Sequence, residues 1–318
     1  MRAAQIRTCG EPPVVAERPA PAPGPGQVLV EVVAAPVTPL DLLCATGTSY
    51  FGTPPTPYVP GVQGVGTVGG RTVWFPTTAG MAPGDGSMAE LAAVPENDLV
   101  ELPAGADPVV VAALGLSAVA ASMALVWRGE LTAGEQVVVL GAGGTVGQAA
   151  VQLARLGGAR RVVAAARSAT GRERAAKAGA DAVVALDTED VGELAARLTA
   201  ALDGPADLVL DPLFGAPAAA AARVLRPGGR LVNLGGSASE SSPIDSSTLR
   251  GKSLRLLGYT NNELTPAQRA AAVAEIAGHA ARGALSVDHE KMPLDDTGKA
   301  WQRQAAGAPS GRIVLSVR

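Results

Sequence analysis

The chain has 318 residues, which suggests about two domains, and a hydrophobic fraction of 47% provides for a sizeable core. Its 26 Lys and Arg against 29 Asp and Glu give a net charge of −3, which argues against nucleic-acid binding and against a polybasic membrane anchor. The 2 cysteines exclude a disulfide framework and a cysteine-rich zinc module.

The first hundred residues have the pattern of β-strands and turns. Residues 28–33 form a β-branched run between Pro/Gly clusters, which predicts a strand, whereas residues 51–70 hold too many Pro and Gly for a long helix. Residues 109–127 form an uncharged stretch near the length of a membrane span, but their Ala, Gly and Ser content favours a buried helix. Because the N-terminus also lacks a signal-peptide pattern, we expect a cytoplasmic protein with no membrane association.

From residue 136 onward, predicted strands and helices alternate. The strands are predicted at 136–140, 162–165, 182–184, 208–210, 231–234 and 254–258, and the helices at 148–156, 172–178, 191–202 and 216–225. This alternation is typical of an α/β fold with a doubly wound parallel sheet of the Rossmann type. A capping box at 265–268 predicts a further helix to about residue 282, and residues 312–317 predict a final strand.

This order of elements also predicts the domain organisation. We expect a dinucleotide-type α/β domain at 114–262, inserted in a β-rich domain that is formed by residues 1–113 and 263–318.

A glycine-rich turn follows the strand at 136–140 and precedes a helix. Gly144 and Gly147 occupy the second and third glycine positions of the G-x-G-x-x-G pattern, and Ala142 occupies the first. Glycine allows a tight turn and close approach of a diphosphate, which the N-terminus of the helix attracts. We therefore predict dinucleotide binding rather than a purely structural turn. The predicted contacts are Gly141, Gly143, Gly144, Thr145, Val146 and Gly147.

The tract after the next predicted strand bears on the choice of cofactor. An NAD site carries an acidic residue about 20 residues after the glycines, but position 167 is arginine. Arg167, Ser168 and Arg172 suit a 2′-phosphate through charge-assisted hydrogen bonds, and the first carboxylate of this tract is Glu173. The alternative is that these are solvated loop residues. We predict NADPH as the cofactor.

Several further motifs occur in a fixed order along the chain. They are residues 28–33, 35–41 (APVTPLD), 57–61 (PYVPG), 86–90 (GSMAE), the glycine-rich turn, 226–229 (RPGG) and 311–314 (GRIV). With these motifs the whole chain resembles the medium-chain dehydrogenase/reductase superfamily, and within it the zinc-independent quinone oxidoreductase and enoyl reductase branch. The resemblance implies a Rossmann domain together with a β-rich, GroES-like catalytic domain.

The departures from the zinc-dependent members bear on the chemistry. Those members carry a Cys ligand where this chain has Thr38 and a Gly-His-Glu motif where it has Gly61, Val62 and Gln63, and they usually add a four-Cys lobe. Thr and Val cannot supply the thiolate and imidazole of a zinc site, so we predict no metal. Without a Lewis acid, a conjugated enone or a quinone is the easier hydride acceptor, because its charge delocalises onto oxygen. The alternatives are a zinc-free alcohol or ketone oxidoreductase and a non-catalytic NADPH-binding sensor protein.

The resemblance also implies roles for individual side chains. It places four hydrogen-bond donors near the nicotinamide, namely Tyr50, Tyr58, Thr38 and Gln63, although packing in a Pro-rich turn is the alternative for Tyr58. Asp41 matches a position that is usually acidic, where we expect a positioning role rather than general base catalysis. Further implied cofactor contacts are Ser117, Leu234, Gly235, Asn261 and Arg312. Since members are commonly dimers or tetramers, we expect a homo-oligomer that acts on a small molecule.

Overall fold

The computed structural model describes residues 1–307 and 311–317. It divides into two compact units. Residues 1–115 and 266–318 form the first, which we call the β-rich unit, and residues 116–265 form the second, which we call the α/β unit.

The β-rich unit is organised around a seven-stranded sheet. Its strands are β3 (Gln27–Pro36), β4 (Gln63–Val68), β5 (Arg71–Pro76), β6 (Leu91–Pro95), β7 (Val100–Glu101), β14 (His289–Pro293) and β15 (Arg312–Ser316). The order is β14-β15-β3-β4-β5-β7, with β6 also paired to β3, and every pairing is antiparallel except that of β14 with β15. A two-stranded sheet of β1 (Arg2–Gln5) and β2 (Val14–Glu17) and the helices α1 (Pro39–Ala45), α8 (Pro266–Ala281) and α9 (Thr297–Ala305) complete this unit.

The pairing of β15 with β3 brings the end of the chain beside its beginning. Val314 lies opposite Pro36, and the Val37 amide donates to the Ile313 carbonyl at 2.9 Å. Both ends contribute to one apolar core, in which Val30 and Ile313 are fully buried. The core and the main sheet of the β-rich unit therefore contain residues from both ends of the chain.

The α/β unit contains a six-stranded parallel sheet. Its strands are β8 (Gln136–Val139), β9 (Arg161–Ala166), β10 (Ala182–Ala185), β11 (Ala206–Asp211), β12 (Leu225–Asn233) and β13 (Arg255–Gly258). The helices are α3 (Thr145–Leu156), α4 (Ala169–Lys177), α5 (Val191–Ala201), α6 (Gly215–Val224) and α7 (Ser246–Lys252). The order β10-β9-β8-β11-β12-β13 confirms the predicted doubly wound sheet, and the direction of winding reverses between β8 and β11.

The apolar stretch that precedes the α/β sheet is helical but not continuous. Helix α2 (Pro108–Met123) is interrupted at Gly115, whose φ of 36° and ψ of −138° are not helical, and a π-helical turn follows at Ala124–Arg128. Among the described residues, Pro108–Arg128 has the length and hydropathy of a membrane span, yet 67% of its apolar window is buried in the protein. This burial agrees with the interpretation as a buried helix.

Candidate functional site

The glycine-rich turn packs so closely that side chains are excluded at two positions. A Cβ on Gly143 would lie 2.5 Å from the Cα of Gly171, and a Cβ on Gly147 would lie 2.4 Å from the Cα of Ala142. Gly141 has a φ of 61°, which L-residues rarely adopt. These three glycines are therefore required by the local geometry.

Gly144 is in a different environment, because it is exposed at the N-terminus of helix α3. A Cβ at this position would meet no described atom closer than the Gly141 carbonyl oxygen, at 3.5 Å. Gly144 is the N-cap residue, and no side chain of the described residues caps the helix. The amides of the first turn, which includes Thr145 and Val146, form the positive end of the helix dipole. Open space in front of uncapped amides fits the diphosphate of a dinucleotide.

The tract after β9 lies beside this turn. Strands β8 and β9 are parallel neighbours, so their carboxyl ends share one edge of the sheet. Ser168 caps α4 by accepting a hydrogen bond from the Gly171 amide at 3.0 Å, and Arg172 donates from Nη1 to the Arg167 carbonyl at 2.7 Å. The structure therefore brings Arg167, Ser168 and Arg172 together next to the glycine-rich turn, with Arg167 exposed.

Sequence reasoning missed a buried carboxylate at the same edge. Asp211, the last residue of β11, is completely buried, and Asn233, the last residue of β12, donates to it from Nδ2 at 2.9 Å. Burial raises the pKa of Asp211, although hydrogen bonds from Asn233 and from the Phe214 and Leu213 amides act in the opposite direction. The signal in the sequence was an aspartate that ends an apolar strand.

The remaining predicted contacts of the α/β unit occupy varied environments. Leu234 and Gly235 directly follow β12, at the carboxyl edge of the sheet. Ser117 is half-buried on α2. The Asn261 side chain accepts a hydrogen bond from the Tyr259 hydroxyl at 2.7 Å and donates one to the Leu116 carbonyl at 3.1 Å. These contacts give Asn261 a role within the fold.

In the β-rich unit, Thr38 and Asp41 form a capping box at the start of α1. Asp41 Oδ2 accepts from the Thr38 amide at 2.8 Å and from the Thr38 hydroxyl at 2.6 Å, and its Oδ1 accepts from the Val62 amide at 2.8 Å. Burial raises the pKa of Asp41, while these donors and the charge of Arg312 lower it in part. Because its proton is donated to Asp41, the Thr38 hydroxyl offers a lone pair rather than a donor to other groups.

Arg312 provides a buried positive charge for the same cluster. Arg312 is only 6% exposed, and its Nη1 donates a hydrogen bond to the Val37 carbonyl at 2.9 Å. Burial lowers the pKa of Arg312 to about 10, with the Asp41 carboxylate acting in the opposite direction. The cation therefore supports the segment that carries Thr38 and Asp41.

Gln63 is held in a fixed orientation inside the β-rich unit. Its Oε1 accepts from the Trp74 indole nitrogen at 3.0 Å, and an indole nitrogen can only donate, which settles how the amide is turned. Gly115 lies against the amide, since a Cβ there would come within 2.2 Å of Oε1. The residue is only 2% exposed.

The two predicted tyrosines differ sharply in exposure. Tyr58 is 4% exposed and belongs to the core of the β-rich unit, and its hydroxyl has no hydrogen-bond partner among the described residues. Burial, with smaller contributions from Cys44 and Asp41, raises the pKa of Tyr58 above its usual value, so the hydroxyl stays protonated. Tyr50 is 75% exposed, and its ring lies 4.2 Å from that of Phe51.

The donor set of the β-rich unit does not fit zinc. Thr38 and Val62, at the positions where zinc-dependent relatives place ligands, direct a hydroxyl and an amide proton to Asp41. Across residues 1–307 and 311–317, no three His, Cys, Asp or Glu side chains come together as a metal site would require.

Comparisons with known proteins agree with this geometry. The profile of a family described as zinc-binding dehydrogenase matches residues 145–278. The quinone oxidoreductase of Rattus norvegicus is 30% identical over 250 residues, which are 74% of this chain and 73% of the rat protein. The chain belongs to the medium-chain dehydrogenase/reductase superfamily, in its quinone oxidoreductase branch. The predicted resemblance is thereby confirmed.

Two further similar proteins extend the comparison. The structure of the quinone oxidoreductase from Thermus thermophilus, also solved in complex with NADPH, is 30% identical with a TM-score of 0.79, and 100% of each chain is covered. A phenolphthiocerol/phthiocerol polyketide synthase from Mycobacterium tuberculosis is 29% identical over 92% of this chain, but this is only 14% of the length of the synthase.

The chain, a member of an oxidoreductase superfamily, has two groups of candidate functional residues, one in each unit. In the α/β unit the glycine-rich turn lies beside Arg167, Ser168 and Arg172. In the β-rich unit Thr38, Asp41 and Arg312 form one cluster. The family whose profile matches is named for zinc, but the matched residues 145–278 include neither Thr38 nor Val62.

Proposed function

We propose that the chain is an NADPH-dependent, zinc-independent reductase that transfers hydride to a conjugated enone or a quinone. The observation that carries this proposal is the cationic tract beside the glycine-rich turn. Gly171, in that tract, packs closely against Gly143, where a Cβ would lie 2.5 Å from the Gly171 Cα, so the two segments are in direct contact. The NADPH complex of the Thermus thermophilus relative supports the same cofactor.

The α/β unit would hold the cofactor through two kinds of contact. The diphosphate would accept hydrogen bonds from the first-turn amides of α3, near Thr145 and Val146. The 2′-phosphate would be bound by Arg167, Ser168 and Arg172, whose tract contains no carboxylate before Glu173. Bound NADPH supplies the hydride, and the protein supplies binding and orientation.

The β-rich unit would stabilise the charge that develops on the acceptor oxygen. The Thr38 proton is donated to Asp41, and Tyr58 and Gln63 are almost completely buried. Tyr50 is the exposed donor of the predicted set, so we propose it as the hydrogen-bond donor to the substrate oxygen. Because the positions of the zinc ligands carry Thr38 and Val62, an acceptor that delocalises its own charge suits this site better than a simple alcohol.

Turnover and product identification test this proposal. The purified protein is supplied with NADPH and, in separate reactions, a naphthoquinone, a simple enone, a simple ketone and an α,β-unsaturated thioester, the last because one relative is a polyketide synthase. We expect oxidation of NADPH with formation of the hydroquinone or the saturated carbonyl product. Reduction of a simple ketone instead would favour the alcohol/ketone oxidoreductase, and tight NADPH binding without turnover on any acceptor would favour a binding protein.

A further inference from the structure

Asp211 lies where a parallel sheet of this type binds its ligands. It ends β11, the strand that neighbours β8 at the point where the direction of winding reverses. In open α/β sheets the ligand crevice lies outside the carboxyl ends of the strands at this point. Asp211 is completely buried, and burying a charged carboxylate is costly in free energy unless hydrogen bonds compensate for the lost water.

The carboxylate joins two segments of the carboxyl edge. Its Oδ1 accepts from the Leu213 and Phe214 amides, each at 2.9 Å, and its Oδ2 accepts from Asn233 Nδ2 at 2.9 Å. The same Asn233 nitrogen donates to the Gly235 carbonyl at 2.9 Å. Through Asn233, the Asp211 side chain thus connects the turn at residues 212–214, which we call the β11 turn, to the Leu234–Gly235 segment.

The β11 turn is in direct contact with the glycine-rich turn. A Cβ on Gly141 would lie 3.0 Å from Leu213 Cδ2 and 3.0 Å from Pro212 Cγ. Phe214 has a φ of 59° and a ψ of −154°, a combination that is strained for any residue except glycine. Such strain persists only where the surroundings impose it, and the two amide bonds to Asp211 do so here.

We propose that Asp211 is a positioning residue for the dinucleotide, which holds the β11 turn and the Leu234–Gly235 segment in the shape that binds the cofactor. This inference rests on the proposed function, since it takes NADPH as the ligand of this edge. It adds a residue that does not itself contact the cofactor but fixes two segments that border it.

The substitution Asp211→Asn probes this role with almost no change in size. Asparagine has one acceptor atom and one donor atom where aspartate has two acceptors. In one orientation its NH2 group faces the Leu213 and Phe214 amides, and the connection to the β11 turn is lost. In the other it faces Asn233, which can accept from it only by exchanging its own nitrogen and oxygen, and this loses the donation to Gly235. Either way one of the two connections is lost.

Asp207→Asn is a matched control at the opposite end of the same strand. Asp207 accepts from the Gln136 amide at 2.8 Å and from Arg226 Nε at 2.5 Å, far from the carboxyl edge. The dissociation constant for NADPH is measured by fluorescence titration, and the melting temperature is measured in parallel. We expect both variants to have a lower melting temperature than wild type. We expect Asp211→Asn to bind NADPH about tenfold more weakly than wild type, and Asp207→Asn to bind it within about twofold of wild type.

Asn233→Ala is the second variant, in case Asp211→Asn does not fold. It keeps both amide bonds of Asp211 and removes the Asn233 hydrogen bonds to Asp211 and to Gly235, and we expect NADPH binding about threefold weaker. If Asp211→Asn folds and binds NADPH with the same affinity as Asp207→Asn, the proposal is overturned. If Asp211→Asn does not fold, unchanged NADPH affinity in Asn233→Ala overturns it. If the wild-type protein binds no NADPH, the proposed function and this inference both fail. If the wild-type protein binds NADPH but the variants bind it equally well, only this inference fails.

Discussion

Replacing Arg167 by alanine tests the choice of cofactor directly. A hydrogen bond to a charged group contributes about 1.5–3 kcal/mol, and because Arg167 is exposed to water and salt we take the lower part of that range, about 1.5–2 kcal/mol. This corresponds to NADPH binding weaker by about 10- to 30-fold. Arg172 bonds to the carbonyl of residue 167, which the substitution retains, so the second cation stays in place.

The assay compares NADPH and NADH on the same variant. We expect Arg167→Ala to weaken NADPH binding and to leave NADH binding within about twofold of wild type, because only NADPH carries the 2′-phosphate. The control is Arg155→Ala, which removes an exposed arginine of α3 that pairs with Asp181 at 2.9 Å, and it should change neither affinity. Equal losses for both nucleotides, or no loss for NADPH, would refute the assignment of Arg167 to the 2′-phosphate.

Three further predictions concern the turn, the fold and the donor. Gly147→Ala would place a Cβ 2.4 Å from the Ala142 Cα, so we expect loss of NADPH binding in titrations, and retained affinity would contradict the packing argument. Burial raises the pKa of Glu135, but three effects together lower it by more: hydrogen bonds from Arg230 at 2.7 Å and 2.8 Å, a hydrogen bond from the Thr132 amide, and the Arg230 charge. The pair therefore stabilises the fold above the unfolded pKa of about 4.3 and loses this effect as the pH falls through the folded pKa. Glu135→Gln should cost about 2–4 kcal/mol in denaturant unfolding at pH 7 and progressively less as the pH falls below about 4.3, and a gap independent of pH would contradict this. Tyr50→Phe should lower kcat about tenfold at unchanged NADPH affinity, and an unchanged kcat would exclude Tyr50 as the donor.

The α/β unit was the most predictable part of the fold. Parallel strands covered on both faces consist of continuous apolar residues, and the short run at 136–140 corresponds to β8 (Gln136–Val139). Helix α3 starts at Thr145, before the predicted residue 148, because the glycines that weaken a helix prediction here form its N-cap and first turn. Helix α7 was not predicted because its Ser-rich sequence is typical of a loop. Its N-terminus is capped by Asp245, which accepts a hydrogen bond from the Thr248 amide at 2.7 Å.

The candidate site was less predictable, because its geometry depends on contacts between distant residues. Thr38 and Asp41 are close in sequence, but the burial of Asp41 depends on the Val62 amide and on the final strand, which brings Arg312 to it. No local pattern reports that the Thr38 proton is already donated. The burial of Tyr58 follows likewise from the packing of the whole unit.

We propose that this chain reduces its acceptor with NADPH and without a metal. The most direct test is the anaerobic steady-state rate at 340 nm, measured on protein treated with EDTA, with NADPH and NADH compared on the best acceptor. We predict a rate that EDTA does not change and a higher kcat/KM with NADPH than with NADH. Activity that is lost with EDTA and restored by zinc, or a higher kcat/KM with NADH, would contradict this proposal.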